Sequence, residues 1–182
     1  MNRCPWCECN EKMRRYHDEE WGVPCHDDHH LFEMLILEGF QAGLSWLTIL
    51  KKREAFREAF DHFDATIIKD YDEDKIKTLM QNKAIVRNKR KIEAAKINAN
   101  VFIQIQKEFG SFDAYLWHFT DNKVVYDHDE PIPTSTPLSD EISNDLKKRG
   151  MKFVGTTIIY AYLQAIGVVN SHEKDCFLYQ KH

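Results

Sequence analysis

The stretch Leu37-Glu38-Gly39-Phe40-Gln41-Ala42-Gly43-Leu44-Ser45-Trp46-Leu47-Thr48-Ile49-Leu50-Lys51-Lys52 decides how the rest of the chain is read. Ahead of it Leu31, Met34, Leu35 and Glu38 recur at helical spacing, which sets Glu38 on the apolar face of its own helix. An ionised carboxylate there is costly unless something pairs with it. Gly39 and Gly43 are expected to break that helix, Ser45 to cap the next and Trp46 to open it. A carboxylate and an indole then flank a glycine-bearing turn, a setting that suits a flat, cationic guest. The alternative is plain packing, with Glu38 turned outward and Trp46 in the core.

Around this stretch lie 182 residues, enough for one domain with a sizeable core, and no Pro/Gly/Ser-rich linker divides them. With 30% charged and 12% aromatic residues, the composition is that of a soluble globular protein. The sequence holds no apolar run long enough to span a membrane and no basic-then-apolar leader, so a cytoplasmic protein without membrane contact is expected. Five cysteines, three of them in Cys4-Pro5-Trp6-Cys7-Glu8-Cys9, fit metal binding or free thiols better than a disulfide framework. A net charge of −4 argues against an unselective polyanion binder. Yet Lys83, Arg87, Lys89, Arg90, Lys91 and Lys96 form one basic cluster, and Lys147, Lys148, Arg149 and Lys152 another. Such patches suit selective docking on phosphates, or are simply solvated helix faces.

Read in order, residues 1–26 show little regular pattern. Asp27 or Asp28 caps the helix that ends at Glu38, and the next runs from Trp46 to Phe60. In it Trp46, Ile49, Leu50, Phe56 and Phe60 should be buried, with Lys51, Lys52, Arg53 and Arg57 outside. Asp64 and Asp72 cap short helices, 82–88 is a tight turn, and Lys89 to Lys107 is a long amphipathic helix with Ile92, Ala95, Ala99 and Phe102 inward. Ser111 caps an aromatic helix, 120–136 is a loop, and Thr136 with Pro137 opens a helix that Gly150 closes. A last apolar helix spans Gly155 to Ile166. No strand and no repeat is evident, so the class is all-α, a compact helical domain over 1–182. Nothing in the pattern calls for an oligomer, and a monomer is expected.

Two Cys/His groups sit near opposite ends. His172 and Cys176, four apart, share one face if their segment is helical, and the head offers Cys4, Cys7, Cys9, Cys25 and His17. One Cys and one His from each end would make a closed Cys₂His₂ site of the structural zinc type, fastening the two termini. A competing set pairs Cys4 and Cys7 with the tail and leaves His17 free. Cys4-Pro5-Trp6-Cys7 is no thioredoxin motif, because no βαβ pattern surrounds it, and no H-x-E precedes it as in the zinc deaminases. His26, His29 and His30 are expected to face solvent.

The blocks Arg3-Cys4-x-Trp6, Tyr16-His17-Asp18-x-Glu20-Trp21-Gly22-Val23-Pro24, Leu31-Phe32-Glu33-Met34 and Leu37-Glu38-Gly39 closely resemble the bacterial type I 3-methyladenine-DNA glycosylases. These are distant members of the helix-hairpin-helix glycosylases. The resemblance continues through Gln41-Ala42-Gly43-Leu44-Ser45-Trp46, Ile132-Pro133-Thr134-Ser135-Thr136, Leu146-Lys147-Lys148-Arg149-Gly150, Lys152-Phe153-Val154-Gly155-Thr156-Thr157 and His172-x-x-x-Cys176, nearly the whole chain. It implies a monofunctional base-excision repair enzyme that releases free 3-methyladenine from alkylated double-stranded DNA. One structural zinc per chain is implied on Cys4, His17, His172 and Cys176. The base pocket maps onto Glu38, Tyr16 and Trp46, with Trp21 and Trp6 nearby, and Glu38 as the catalytic residue. The helix-hairpin-helix maps onto the helix ending at Met80, the turn through Arg87 and the helix from Lys89. Arg87, Lys89, Lys147 and Lys148 then become candidates for gripping DNA phosphates.

Three features depart from that pattern. Met13 stands where a tyrosine is common, Ala84 where a hairpin glycine is usual, and Cys7 and Cys9 are additional thiols. The aspartate of many helix-hairpin-helix glycosylases has no counterpart, which is typical of type I enzymes. Two other readings compete: a zinc-clipped DNA-binding module without activity, and a glycosylase for other alkylated bases.

Overall fold

The computed structural model describes residues 2–129 and 131–180. Glu130 of the expected 120–136 loop and both ends of the expected 1–182 domain lie outside them. Nine α-helices make up the described chain: α1 (Glu11–Glu19), α2 (Asp28–Gln41), α3 (Trp46–Ala59), α4 (Ala65–Ile68), α5 (Glu73–Gln81), α6 (Lys89–Phe109), α7 (Phe112–His118), α8 (Pro137–Lys148) and α9 (Thr156–Ala165). From Leu31 to Phe40 every residue of α2 is buried, the mark of a helix enclosed on all sides. The helices α3, α6, α7 and α9 pack around it.

Side-chain oxygens set most helix starts, as the sequence leads one to expect. Asp27, Ser45, Asp64, Asp72, Asn88 and Ser111 each accept a backbone N–H in the first turn. Thr136 and Ser139 form a reciprocal capping box ahead of α8. On α6, Ile92, Ala95, Ala99 and Phe102 face inward as expected.

Several expectations are corrected. Gly39 does not break α2, which continues to Gln41, and it packs against Phe153 of the 150–155 loop. Gly43, at φ +79°, is the residue past the helix end that adopts the left-handed conformation. The N-terminal region, expected to lack regular pattern, contains α1, capped by Asn10 and burying Met13, Tyr16 and His17 along one face. Two short strands also went unread, β1 (Val125–Tyr126) and β2 (Val169–Asn170). They pair in parallel, too short for alternation to show in sequence.

Charged residues bring the other corrections. Arg53, expected outside, is buried and donates to Glu33 at 2.9 Å and to both oxygens of Glu20 at 2.8 and 2.9 Å. Arg57 joins the same Glu33 oxygen. Lys91 is also buried rather than part of an exposed cluster, and Lys96 donates to the Tyr71 carbonyl. Arg149 is engaged by Glu108 and Asp145. Helical periodicity alone misses these because long cationic side chains bury where a carboxylate or carbonyl meets them. His26 and His29 are exposed, but His30 is half-buried, and burial lowers its pKa. Among the described residues no helix is long and apolar enough to cross a membrane.

The Arg53 centre joins α2 and α3 to Glu20, which follows α1. Replacing Arg53 with Met leaves Glu33 buried with only Arg57 beside it. Urea unfolding should show a loss of about 3 kcal/mol for Arg53→Met and a smaller one for Arg57→Met.

Candidate active site and metal centre

Three successive helices meet at a cleft of about 260 Å³. Helix α1 brings Met13 and Tyr16, the end of α2 brings Glu38 and Gln41, and the start of α3 brings Trp46. Trp6 and Trp21 complete one wall, while Ile132, Ala161 and Gln164 line it from distant parts of the chain. The structure therefore assembles Glu38, Tyr16, Trp46, Trp21 and Trp6, all named from the sequence. Gln41, Ile132, Ala161 and Gln164 were missed. Gln164 left one signal, a buried amide in an otherwise apolar helix; Ile132 and Ala161 left none.

The rings pack at angles. Tyr16 and Trp46 have centroids 5.4 Å apart, and Trp6 meets Trp21 edge-on at 5.0 Å. Trp46 is half-buried, and its indole N–H has no hydrogen-bond partner among the described residues. Glu38 is 3% exposed, and among the described residues no side chain hydrogen-bonds or ion-pairs with it. Burial pushes its pKa up to about 8. Burial, with Glu38 nearby, raises Tyr16 well above the usual phenol value, so its hydroxyl remains a donor. The cleft thus holds a carboxyl whose burial favours the protonated form and whose anion a nearby cation would stabilise.

At the termini Cys4, His17, His172 and Cys176 place one ligand atom each within 4.8 Å of all the others, and all four residues are buried. Cys4 Sγ lies 3.8 Å from His172 Nδ1, and Cys176 Sγ lies 3.5 Å from His17 Nε2 and 3.6 Å from His172 Nδ1. A tetrahedral zinc with Cys and His ligands has edges of roughly 3.5 Å. Cys7 lies outside this group and turns its thiol to the Cys4 carbonyl at 3.1 Å. Cys9 is exposed. The four-residue spacing of His172 and Cys176 works through a turn rather than the expected helix, closed by Cys176 N–H donating to Glu173 O at 2.8 Å.

The surrounding hydrogen bonds match a metal's needs. His17 Nδ1 meets Asp18 Oδ1 at 2.8 Å, and Arg3 holds that carboxylate, which leaves Nε2 for the cluster. His172 Nε2 meets the Trp21 carbonyl at 3.2 Å, which leaves Nδ1. Backbone N–H groups of Glu173 and Leu178 point at Cys4 and Cys176 Sγ at 3.4 Å. Burial and Cys176 push Cys4 up to about 12, a cost that a cation between the sulfurs removes. The cluster could hold a metal ion, and it carries pocket walls with it: Trp6 follows Cys4 by two residues, Tyr16 precedes His17, and Trp21 accepts from His172.

The candidate DNA contacts stand apart from this site. Arg87 and Lys89 are exposed in and after the 82–88 turn between α5 and α6, and Lys147 and Lys148 are exposed at the end of α8.

Residues 6–179 match the methyladenine glycosylase family. The chain is 43% identical to the DNA-3-methyladenine glycosylase 1 of Escherichia coli (strain K12), covering 98% of this chain and 97% of that protein. A crystal structure of 3-methyladenine DNA glycosylase I superposes with a TM-score of 0.95 at 44% identity, covering 98% of this chain and all of the other. A variant of 3-methyladenine DNA glycosylase I in complex with 3-methyladenine gives 0.94 at 36% identity, with both chains covered fully.

Glu38 supplies a pH test. Its pKa is about 8 when folded, against 4.5 for an ordinary glutamate. Between these values the unfolded chain releases the proton first, so folding loses stability as pH rises from 4.5 to 8. Glu38→Gln should raise the melting temperature at pH 8.5 and raise it far less at pH 5.5, read by calorimetry.

Proposed function

We propose that this chain, which belongs to the methyladenine glycosylase family, hydrolyses the N-glycosidic bond of 3-methyladenine in alkylated double-stranded DNA and releases the free base. The observation that carries this reading is Glu38, a buried carboxyl without a partner among the described residues, in a cleft walled by Tyr16 and Trp46. A scaffold that only bound DNA would gain nothing from the cost of that carboxyl.

Methylation at N3 makes the base cationic and weakens its bond to the sugar, so little acid–base power is needed. The nucleotide must leave the stack, at a cost of a few kcal/mol. The faces of Trp46 and Tyr16 favour the cationic ring over neutral adenine by roughly 0.5–2 kcal/mol per contact. Glu38, neutral in the free cleft, ionises against the charged base and accepts from its exocyclic amine. The base departs neutral, so attraction to the bound cation by itself cannot accelerate bond breaking. Glu38 therefore selects and positions. As the bond between the sugar carbon and the ring nitrogen breaks, the carboxylate and the DNA phosphates stabilise the positive charge that moves onto the sugar. Water adds to that carbon and its proton is released.

Zinc fits the Cys₂His₂ set, held by Cys4, His17, His172 and Cys176. When bound it supplies structural cross-linking of the two termini and no chemistry at the lesion. The turn between α5 and α6 reads as the hairpin of a helix-hairpin-helix, where Arg87 and Lys89 grip phosphates, with Lys147 and Lys148 adding contacts from α8. The chain works as one domain and as a monomer in the cytoplasm.

Chromatography of bases released from methylated duplex DNA tests the activity. Single-turnover release of 3-methyladenine should fall by about two orders of magnitude in Glu38→Gln; unchanged release would remove Glu38 from the mechanism. Affinity for the duplex should weaken steadily as salt rises, and a flat response would dispose of the phosphate contacts. Metal analysis of protein purified without chelator should find one zinc per chain, and its removal should lower the melting temperature.

A further inference from the structure

Lys91 follows the exposed Lys89 and Arg90 in sequence but leaves their surface. It is 8% exposed, and its ammonium donates to the carbonyls of Phe40 at 2.8 Å and Ala42 at 2.6 Å. Burial lowers its pKa, so the site holds a cation at a cost. Those carbonyls close α2 within one turn of Glu38, and Gln41 between them lines the cleft. Helices α1, α3 and α5 end on a backbone N–H from the cap residue, whereas these last carbonyls of α2 take a side chain from another helix.

A second lysine runs the opposite way. Lys52 lies on α3, six residues after Trp46, and donates to the Ala84 carbonyl inside the 82–88 turn at 3.2 Å. The turn is thus tied to α3 directly through Lys52, and the first turn of α6, which follows it, is tied to the end of α2 through Lys91. Between those two attachments lies the exposed Gly43–Leu44–Ser45 segment.

We propose that Lys91 and Lys52 are positioning residues that lock the 82–88 hairpin to the rim of the base cleft, so that phosphates gripped at the hairpin place the extruded base against Glu38 and Trp46. The inference rests on the glycosylase reading for its substrate. Neither lysine touches the base. Their removal spares the cleft's own walls and loosens its alignment with the DNA, and small misplacement of a reacting group is expensive in rate.

Hydrogen exchange with undamaged duplex DNA tests the lock without catalysis. In the wild-type protein, DNA should slow exchange in residues 82–90 and also in 41–46. Lys91→Met should keep the first protection and lose the second. Its single-turnover release of base should fall about tenfold or more, with affinity for free 3-methyladenine unchanged. Lys91→Arg, which restores the donors, should recover most of the rate. Retained protection of 41–46 in Lys91→Met would overturn the proposal. So would a loss of free-base affinity matching the loss in rate, because that marks ordinary support of the cleft. Should Lys91→Met fail to fold, Lys52→Met tests the same lock from α3: weakened protection of 41–46 supports it, and full protection overturns it. Wild-type protein that shows the exchange pattern but releases no base would defeat the glycosylase reading and leave the lock standing.

Discussion

A carboxyl group taken out of water without a partner is the constraint on which this structure depends. Glu38 occupies the last turns of a helix enclosed on all sides, where burial disfavours its ionisation and, among the described residues, no cation offsets it. Other buried acids here are matched, as Glu33 is by Arg53 and Arg57. The contrast sets Glu38 apart from ordinary core electrostatics. An unmatched acid beside aromatic faces has its charge balanced only when a flat cation enters, which ties binding of the guest to its charge rather than to its shape alone.

The surrounding fold keeps that arrangement in register. The Arg53 centre pins α1, α2 and α3 together behind the cleft, so Tyr16, Glu38 and Trp46 hold their mutual distances. The Cys/His cluster secures the N-terminal segment in front. Gly167, at φ +72°, lets the chain around Val23 pass against the end of α9, where any side chain would meet backbone at 2.2 Å. Gly22 and Cys25 donate to the Gln164 and Ile166 carbonyls at the same junction. Local propensity would not hold the head of the chain alone; the buried Cys/His cluster, backbone bonds and close packing do so together.

Much of this was legible in sequence because it is written in local chemistry. Helix starts are announced by Asp, Asn, Ser and Thr caps, and the burial of Glu38 follows from its spacing to Leu31, Met34 and Leu35. Cys and His are rare residue types, so even a cluster split between the termini could be narrowed to a few candidates. What could not be read depends on partners distant in the chain. Lys91 and Arg53 look like surface cations until the carbonyls and carboxylates that receive them are in place. Gly39 looks like a breaker until the packing that carries α2 on to Gln41 is in place. Helix α1 was overlooked because its apolar positions are interrupted by Arg14, Arg15 and the ligand His17, although Asn10 and the spacing of Met13 to Tyr16 were available. Gln164, Ala161 and Ile132 enter the cleft through tertiary folding alone.

The charge state of residue 38 is the most direct point of attack. Carbon-13 NMR of labelled glutamate carboxyls, assigned through the Gln substitution, can follow its titration in the free protein and in protein saturated with 3,9-dimethyladenine, which stays cationic because its N9 is substituted as it is in DNA. The account requires a midpoint near 8 in the free protein, as burial sets it, and a clear fall when the cationic base is bound. A carboxyl that titrates like an exposed glutamate, and does not respond to the base, would contradict it.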